Sequence, residues 1–194
     1  MLARAVDAKD PSTRRHSERV AGLAAMLAEA CGWPRERASL LHEAALVHDV
    51  GKIAVPDGIL FTPRRLTEAE MAKVRVHAAL GAEMLSDVLS PEQAGWVRGH
   101  HERWDGGGYP DGLAGEDVPE GARILHLADA WDVMTSNRAY VTPLTDAEAL
   151  EECRRQVGAQ FWGPAVDALE RLHRGGALQA DALERGAATR LPSP

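Results

Sequence analysis

Cysteine is scarce in this chain of 194 residues, which has two copies that stand alone at Cys31 and Cys153. No CxxC pair is present, which argues against thiolate zinc sites, thioredoxin-like redox motifs and dense disulfide frameworks. We interpret both cysteines as reduced core thiols of a cytoplasmic protein. One long-range disulfide between them stays open as the alternative.

Long apolar runs and excess positive charge are also missing. No apolar stretch approaches the ~20 residues that a membrane-spanning helix needs, and the apolar start is too short for a signal peptide. The formal net charge of −7 argues against a broad electrostatic grip on DNA or RNA. We therefore expect no membrane segment and no nucleic-acid partner. An anionic substrate has to be held by a local group of metals and Arg or Lys side chains.

Helix-forming residues are what the chain has in quantity. Ala, Leu, Arg and Glu dominate, whereas Phe and Tyr occur twice each. No stretch shows the alternation of apolar and polar residues that is typical of strands. The length fits one domain. We predict an all-α fold, with the domain over residues 1–175 and a poorly ordered tail over residues 176–194.

Cap residues and helical spacing divide the chain into elements. The second predicted helix carries His48 and is ended by Gly51, and residues 52–66 read as a loop. Thr67 and Glu70 form a capping box for the next helix. Further helix starts are predicted at Ser90–Pro91, Pro119, Thr145 and Pro164.

The most informative stretch is HHERWDGGGYP at residues 100–110. Two histidines and a glutamate lead into a glycine-rich turn, which belongs to a long Gly/Pro loop over residues 105–119. Imidazoles bind metals, glycines let backbone N–H groups approach a ligand, and an aromatic ring stacks on bases. A loop of this length inside a domain is usually functional. The predicted substrate contacts in it are Gly107, Gly108, Tyr109 and Pro110.

Metal-type side chains recur along the chain and lie on five predicted helices. The candidate ligands are His16, His48, Asp49, His77, His100, His101 and Asp129. Side chains of facing helices can converge inside a bundle. Adjacent residues point about 100° apart on a helix, so His48 and Asp49 suit two ions, with the aspartate bridging them. Seven ligands are too many for one tetrahedral zinc, and they suit two divalent ions of the Fe or Mn kind.

A pair of ions defines the chemistry to expect. Two ions roughly 3.5–4 Å apart can bind one phosphodiester and share a hydroxide that attacks phosphorus in line. Lys52 and Arg138 are the best cations to neutralise the non-bridging oxygens. Asp10, six residues before His16, could orient or deprotonate the nucleophile. The sequence therefore predicts a metal-dependent phosphohydrolase, with Lys52, Asp49 and Asp10 as its catalytic residues.

These motifs resemble, in order, those of the HD phosphohydrolase superfamily and its HD-GYP subgroup, the bacterial cyclic di-GMP phosphodiesterases. The matching stretches are HSERVA at 16–21, HDVGKIAVPD at 48–57, His77, HHERWDGGGYP at 100–110 and ARILHLADAWDVMTSNRAY at 122–140. The resemblance covers roughly residues 8–162 and implies an HD-domain helical bundle with its Gly-rich loop at the site. It implies hydrolysis of cyclic di-GMP to pGpG, or onward to GMP, with Asp49 bridging the metals. Asp132 matches a family position near the substrate.

Two positions depart from the family pattern. Ser12 stands where some members carry a glutamate that ligates a third metal, so we expect two metals. Val141 stands where members usually carry Arg or Lys, which keeps another cyclic dinucleotide, such as cyclic GMP-AMP, open as the substrate. Both departures also support the alternative of a catalytically weak dinucleotide-binding adaptor. Against the adaptor stands the complete set of seven ligands.

Three further expectations concern neighbouring side chains and partners. His126 is interpreted as an ordinary core histidine, and a supporting role beside Asp129, one helical turn away, is the less favoured alternative. Glu102 either orients a histidine or makes a solvent-exposed salt bridge. The chain begins almost at its first motif, so we expect the output domain of a longer protein, with an upstream sensory domain or a signalling partner protein. A homodimer is a further alternative.

Overall fold

The structure is a computed structural model that describes residues 11–136 and 142–178, with side chains from residue 15 onward. Within these ranges the chain forms helices and no β-strand, which confirms the predicted all-α fold. The α-helices are α1 (Pro11–Ala30), α2 (Arg35–Leu46), α3 (Asp57–Leu60), α4 (Glu68–Met84), α5 (Pro91–Gly99), α6 (Glu120–Thr135), α7 (Asp146–Arg155) and α8 (Gly163–Arg174). Short 3₁₀ helices lie at Val50–Ala54 and Gly115–Asp117.

Helix α1 is packed on several sides. It contacts α2, α6 and α8, while α4 contacts α5 and the first 3₁₀ helix. The stripe of Val20, Leu23 and Leu27 on α1 is at most 2% exposed, as its helical spacing predicts. Each such side chain contributes roughly 1.5–3 kcal/mol by leaving water. His16 lies one turn before Val20 on the same stripe, so the packing of this face directs His16 into the bundle.

The predicted caps are present at three helix starts. Thr67 accepts the N–H of Glu70, and the Glu70 side chain accepts that of Thr67, which forms the predicted capping box. The same reciprocal pair opens α5 at Ser90 and Gln93. It opens α7 at Thr145 as well. Such caps satisfy backbone donors that a helix start leaves unpaired.

The segment around His48 differs from its prediction. Helix α2 ends at Leu46, so His48 and Asp49 lie in a turn beyond it, and Gly51 lies inside the first 3₁₀ helix. The physical reason is tertiary: the backbone at Gly51 packs directly against the backbone of α4. Residues 52–66, predicted as a loop, contain the end of this 3₁₀ helix and the single turn of α3.

Several expectations fall at the edges of the described ranges. Asp10, Arg138 and Val141 lie outside them, as does the predicted tail from residue 179 onward. Leu178, which belongs to the predicted tail, is 6% exposed and packs in the core. Cys31 and Cys153 are free thiols. None of the helices described here is long and apolar enough to cross a bilayer.

Candidate metal centre

The seven predicted metal ligands meet at one place in the fold. They come from α1, the turn after α2, α4, the turn after α5, and α6, in the order His16, His48, Asp49, His77, His100, His101 and Asp129. Asp49 belongs to two groups, one with His77, His100 and His101 and the other with His16 and His48. Within each group, one potential ligand atom per residue lies within 4.8 Å of the others. Asp129 Oδ1 lies 3.3 Å from His16 Nε2 and so joins the second group.

Three of the histidines have one ring nitrogen fixed by their own backbone. Nδ1 of His48, His77 and His100 lies 2.7, 2.7 and 2.6 Å, respectively, from the carbonyl oxygen of the residue three positions earlier. A carbonyl oxygen only accepts, so Nδ1 carries the proton and Nε2 keeps its lone pair. The three rings thus present ligand atoms to the cluster in the tautomer that a metal requires.

Two features of the cluster fit a cation between its side chains. His77 Nε2 and His100 Nε2 are 3.4 Å apart, and with both protons on Nδ1 their lone pairs face each other. Asp49 is 3% exposed, and its Oδ1 has no hydrogen-bond partner among the described residues. A buried carboxylate oxygen without a donor is costly. Imidazole nitrogens with carboxylate oxygens suit divalent transition-metal ions, so these residues fit the predicted cofactor.

Burial keeps the imidazoles of His77, His100 and His101 neutral. Burial lowers the pKa of His77, holds that of His100 well below its ordinary value and lowers the pKa of His101 to about 3. Burial would raise the pKa of Asp49, but the ammonium group of Lys52 holds it well below its ordinary value. An ionised carboxylate among neutral imidazoles is the charge state that a bound metal needs.

The His16 ring lies between two carboxylates of α6. Its Nδ1 is 2.7 Å from Asp132 Oδ2, and its Nε2 is 3.3 Å from Asp129 Oδ1. Burial alone would lower the pKa of His16, but hydrogen bonds to Asp129 and Asp132 outweigh it and raise the pKa to about 9. Burial also opposes ionisation of Asp129, yet His16 lowers the pKa of that carboxyl. A metal at Nε2 therefore has to displace a proton.

Asp132 is itself held by Arg19, which the sequence interpretation missed. Arg19 Nη2 donates to Oδ2 of Asp132 at 2.9 Å, Arg19 Nε donates to Oδ1, and Ser136 Oγ donates to Oδ1 at 3.1 Å. Both oxygens of Asp132 are bound within the protein, and the predicted contact of Asp132 with the substrate stays a prediction. In this arrangement Asp132 orients His16. The available signal was spacing, because Arg19 follows His16 by one helical turn.

We expect Arg19→Ala to weaken metal binding by about 10- to 100-fold, because Asp132 loses its bidentate partner and His16 loses its orientation. Competition titration against a coloured chelator measures this affinity. Arg15→Ala is the matched control, since Arg15 is exposed one turn earlier on α1. The control should bind metal like the wild type. Equal affinities for Arg19→Ala and the wild type would contradict the positioning role.

Lys52 lies at the edge of the cluster. Its Nζ is 2.6 Å from Asp49 Oδ2, and its side chain is 32% exposed. The ammonium group therefore pairs with the shared carboxylate from the solvent side, on a flexible stem that can turn toward a bound anion. A contact of Lys52 with phosphate stays a prediction. The roles of Arg138 and Asp10 also stay predictions, because both lie outside the described residues.

The glycine-rich loop folds back on the residues before it. A Cβ atom at Gly108 would lie 2.5 Å from backbone atoms of Glu102 and Arg103, so only glycine fits this approach. The Gly107 N–H donates to Asp105 Oδ1 at 2.9 Å. The sequence analysis assigned Gly107 and Gly108 to substrate binding. In the structure the N–H of Gly107 and the close backbone approach at Gly108 stabilise the loop itself. Their contacts with substrate stay predictions.

Tyr109 stacks on a candidate metal ligand. Its ring lies 4.8 Å from that of His101 at an interplanar angle of 29°, and its N–H donates to the His101 carbonyl oxygen at 3.2 Å. Burial raises the pKa of Tyr109, so its phenol stays protonated at neutral pH. The ring therefore supports His101 directly. Stacking of Tyr109 on a base and a substrate contact of Pro110 stay predictions.

Glu102 anchors the loop to the turn that carries His100 and His101. Glu102 is 2% exposed, and its Oε1 accepts the N–H groups of Asp111 and Gly112 at 2.7 and 3.0 Å. The sequence analysis expected Glu102 either to orient a histidine or to form a solvent-exposed salt bridge. The observed partners of Glu102 are backbone N–H groups instead. Glu102 takes these partners because two backbone donors of the folded loop need a buried acceptor.

His126 holds the same turn from α6. Its Nδ1 donates to the His100 carbonyl oxygen at 2.9 Å, and its Nε2 lies 3.1 Å from the Gln160 side-chain nitrogen. Burial lowers the pKa of His126, so the ring stays neutral. The sequence analysis favoured an ordinary core histidine over a supporting role near Asp129, and the observed bonds agree with the supporting role. The signal was the position of His126 one turn before Asp129, in an otherwise apolar run.

Comparison with known proteins finds relatives that are named as cyclic dinucleotide phosphodiesterases. The cyclic di-GMP phosphodiesterase response regulator RpfG of Xanthomonas campestris is 42% identical over 173 residues, which is 88% of this chain and 46% of that protein. The 3′3′-cGAMP-specific phosphodiesterase 2 of Vibrio cholerae is 37% identical over 171 residues, 87% of this chain and 33% of that protein. The chain thus spans less than half the length of these two curated relatives.

A solved structure shares the fold. Bd1817, an HDG"Y"P protein from Bdellovibrio bacteriovorus, matches with a TM-score of 0.68 and 22% identity over 84% of this chain and 52% of that chain. A family model described as an HD domain matches residues 1–166. That range contains all seven candidate ligands and the glycine-rich loop. The chain therefore belongs to the HD domain family.

Proposed function

We propose that the protein is a metal-dependent phosphodiesterase that hydrolyses cyclic di-GMP to pGpG, with two divalent ions, iron or manganese, as cofactors. The observation that carries the proposal is the position of Asp49 in two ligand groups at once. One carboxylate with two oxygens can serve two ions. The cyclic di-GMP phosphodiesterase named above, which is 42% identical, supports the choice of substrate.

The proposed division of ligands follows from the two groups. His77, His100 and His101 serve one ion with Asp49, and the other ion takes the remaining donors: His16, His48, Asp49 and Asp129. Ions bound there would polarise the phosphodiester and lower the pKa of a water molecule. Imidazole and carboxylate donors in this number fit iron or manganese better than a four-coordinate zinc.

The chain's own residues have separate tasks in this proposal. Lys52, which is one-third exposed beside Asp49, neutralises a phosphate oxygen. Arg19 and Asp132 keep His16 oriented through the reaction, because their bonds do not involve the ligand nitrogen. Tyr109 and Glu102 keep the turn of His100 and His101 in place. Arg138 and Asp10 are assigned to phosphate binding and to the nucleophile on their sequence positions alone.

A second substrate is favoured by one specific observation. The relative from Vibrio cholerae that is 37% identical is named as specific for 3′3′-cGAMP. Val141 stands where the subgroup usually has a basic residue, so the sequence lacks one of the expected contacts with phosphate or guanine. Cyclic GMP-AMP is therefore the alternative substrate of the same chemistry.

The test is an assay of both substrates with anaerobically purified protein. Elemental analysis of the protein should find two metal ions per chain. Cyclic di-GMP should be converted to pGpG, separated by anion-exchange chromatography, and a chelator should stop the reaction. Faster conversion of cyclic GMP-AMP would select the alternative substrate. Protein that keeps two metals and binds cyclic di-GMP, yet forms no pGpG, would show an adaptor instead.

The proposal extends to the arrangement of the longer protein. We assign residues 1–175 to the phosphodiesterase domain and expect an upstream sensory domain or a signalling partner. The support is that the chain spans 46% of the response regulator named above. A cytoplasmic location and a homodimer remain predictions. Neither is needed for the chemistry, because all seven candidate ligands come from one chain.

A further inference from the structure

A cavity of about 360 Å³ lies beside the candidate metal centre. His101 and Asp129 line one end of it, so the cavity opens onto two of the proposed ligands. Pockets for small ligands range from about 300 to 1,000 Å³. A volume near the lower limit fits one ring system attached to the scissile phosphate and is too small for a whole cyclic dinucleotide.

The walls of this cavity suit a flat ring. Val133 and Met134 of α6 and Phe161, which follows α7, line one part of it. Phe161 is 2% exposed and is held in the core, whereas Val133 is 40% exposed at the rim. Apolar walls favour the faces of a ring, and the polar groups that remain have to meet its edge.

One polar group on the wall has a fixed orientation. The Gln160 side-chain oxygen accepts from Arg103 Nη1 at 3.3 Å, and its nitrogen lies 3.1 Å from His126 Nε2. Because His126 Nδ1 donates to a backbone carbonyl, its Nε2 has to accept from Gln160. The amide cannot flip without breaking both bonds. Such preorganisation reduces the cost of binding a ligand.

Two further polar side chains of the lining, Gln156 and Glu152, have oxygen atoms that accept hydrogen bonds. Gln156 Nε2 donates to Glu152 Oε1 at 3.0 Å, and both side chains line the cavity. Arg155 pairs with the other oxygen of Glu152. A carboxylate has about four lone-pair sites, so Glu152 can accept further hydrogen bonds. Its side chain is 30% exposed and lines the cavity, so the edge of a bound ligand can reach it.

The charge of the lining selects against a second phosphate. Glu152 and Asp129 are its charged members among the described residues, and no Lys or Arg of that part of the chain lines it. Without a cation among these lining residues a second phosphate would have no partner there, whereas the carboxylate of Glu152 favours a neutral group that donates hydrogen bonds. Among the bases of cyclic dinucleotides, guanine presents N–H donors side by side at its Watson–Crick edge, and a carboxylate accepts from such donors.

We infer that this cavity binds the guanine base adjacent to the scissile phosphodiester, with its N–H edge toward Glu152 and Gln156. The inference rests on the proposed function and adds to it the residues that read the base. Val133 and Met134 contact the face of the ring. Specificity for the base then lies on Glu152 of α7 and on Gln156, which directly follows this helix, and no proposed metal ligand comes from this segment.

The test fills the cavity from its rim without touching a proposed ligand. We expect Val133→Trp to raise KM for cyclic di-GMP at least about tenfold, since the indole takes the place of the base. Hydrolysis of bis(p-nitrophenyl) phosphate, a phosphodiester without a base, should stay within about twofold of the wild type. Metal content should not change. Val88→Trp is the matched control, because Val88 is 66% exposed and does not line the cavity.

The outcomes separate this inference from the proposed function. A wild type that hydrolyses bis(p-nitrophenyl) phosphate but no cyclic dinucleotide overturns the proposed function. If the wild type hydrolyses cyclic di-GMP and Val133→Trp has the same KM, the cavity is not the base site. Equal losses on both substrates also overturn the inference, because the cavity would then serve the centre itself.

A second variant tests which edge of the base is read. Glu152→Gln keeps the shape of the side chain and removes its charge, so it should raise KM for cyclic di-GMP about fivefold or more with kcat unchanged. Glu151→Gln, at an exposed neighbour on α7, is the control. An unchanged KM in Glu152→Gln would overturn the assignment of guanine.

Discussion

Replacing Asp49 by alanine should reduce turnover of cyclic di-GMP by at least about 10³-fold and remove metal from the protein. Asp49 is the one residue shared by the two ligand groups, so its loss removes a donor from both. For the ion at His77, His100 and His101, the donors that remain are neutral imidazoles, and the second ion keeps Asp129 as its carboxylate, so the charge of two divalent ions is poorly compensated. Elemental analysis and the pGpG assay on the same preparation measure both effects.

Asp87→Ala is the control for this experiment, because Asp87 is an exposed carboxylate away from the cluster. The control should keep its metal and its turnover. The fold of Asp49→Ala should also survive, since the substitution removes a buried carboxylate whose Oδ1 has no hydrogen-bond partner in the described part of the chain. Circular dichroism checks this point. Full turnover in Asp49→Ala would refute the bridging role.

The convergence of the seven candidate ligands could be predicted because their chemical types are rare outside sites of this kind. A buried histidine or aspartate needs a partner, and seven such residues in ordered motifs leave few alternatives. The all-α fold followed from composition and from capping boxes, such as that at Thr67, which act over a few residues. A capping box involves residues only three positions apart, so it can be recognised in a short stretch of sequence without knowledge of distant contacts.

The contacts that support the ligands were predicted less well, because they join residues that are distant in sequence. Arg19 meets Asp132 across 113 positions, and His126 meets the carbonyl of His100 across 26. Helical spacing places Arg19 near His16 and His126 near Asp129, but no local pattern identifies the distant partner of either residue. Glu102 was considered as a partner of a side chain, but it binds two backbone N–H groups that converge only once the loop has folded.

The turn at His48 was predicted wrongly for a related reason. Helical periodicity continues through Val47, so the sequence alone extends α2 to His48, whereas the helix ends at Leu46. The first 3₁₀ helix begins at Val50, where the chain packs against α4. That packing determines the end of α2, and helix propensity alone does not contain it. Gly51 was interpreted as a helix stop, whereas its lack of a side chain lets this backbone pack directly against the backbone of α4.

Gly51→Ala should therefore be among the most disruptive single substitutions in the chain. A Cβ atom at Gly51 would lie 2.1 Å from the carbonyl oxygen of His77 and 2.7 Å from the backbone nitrogen of Gly81. Both atoms belong to the backbone of α4 and cannot move aside as a flexible side chain can. We expect a loss of about 3 kcal/mol or more in the free energy of unfolding, measured by urea denaturation.

The same substitution should also weaken the metal centre, because the contact at Gly51 holds the turn of His48 and Asp49 against His77. Gly58→Ala provides the control: a Cβ atom there meets nothing within 4 Å, and the backbone does not have a positive φ. The control should unfold within about 1 kcal/mol of the wild type, on the stable side. If Gly51→Ala kept both the stability and the metal affinity of the control, close packing of the two backbones would not be what brings Asp49 to His77. The shared carboxylate would then owe its position to the ions themselves.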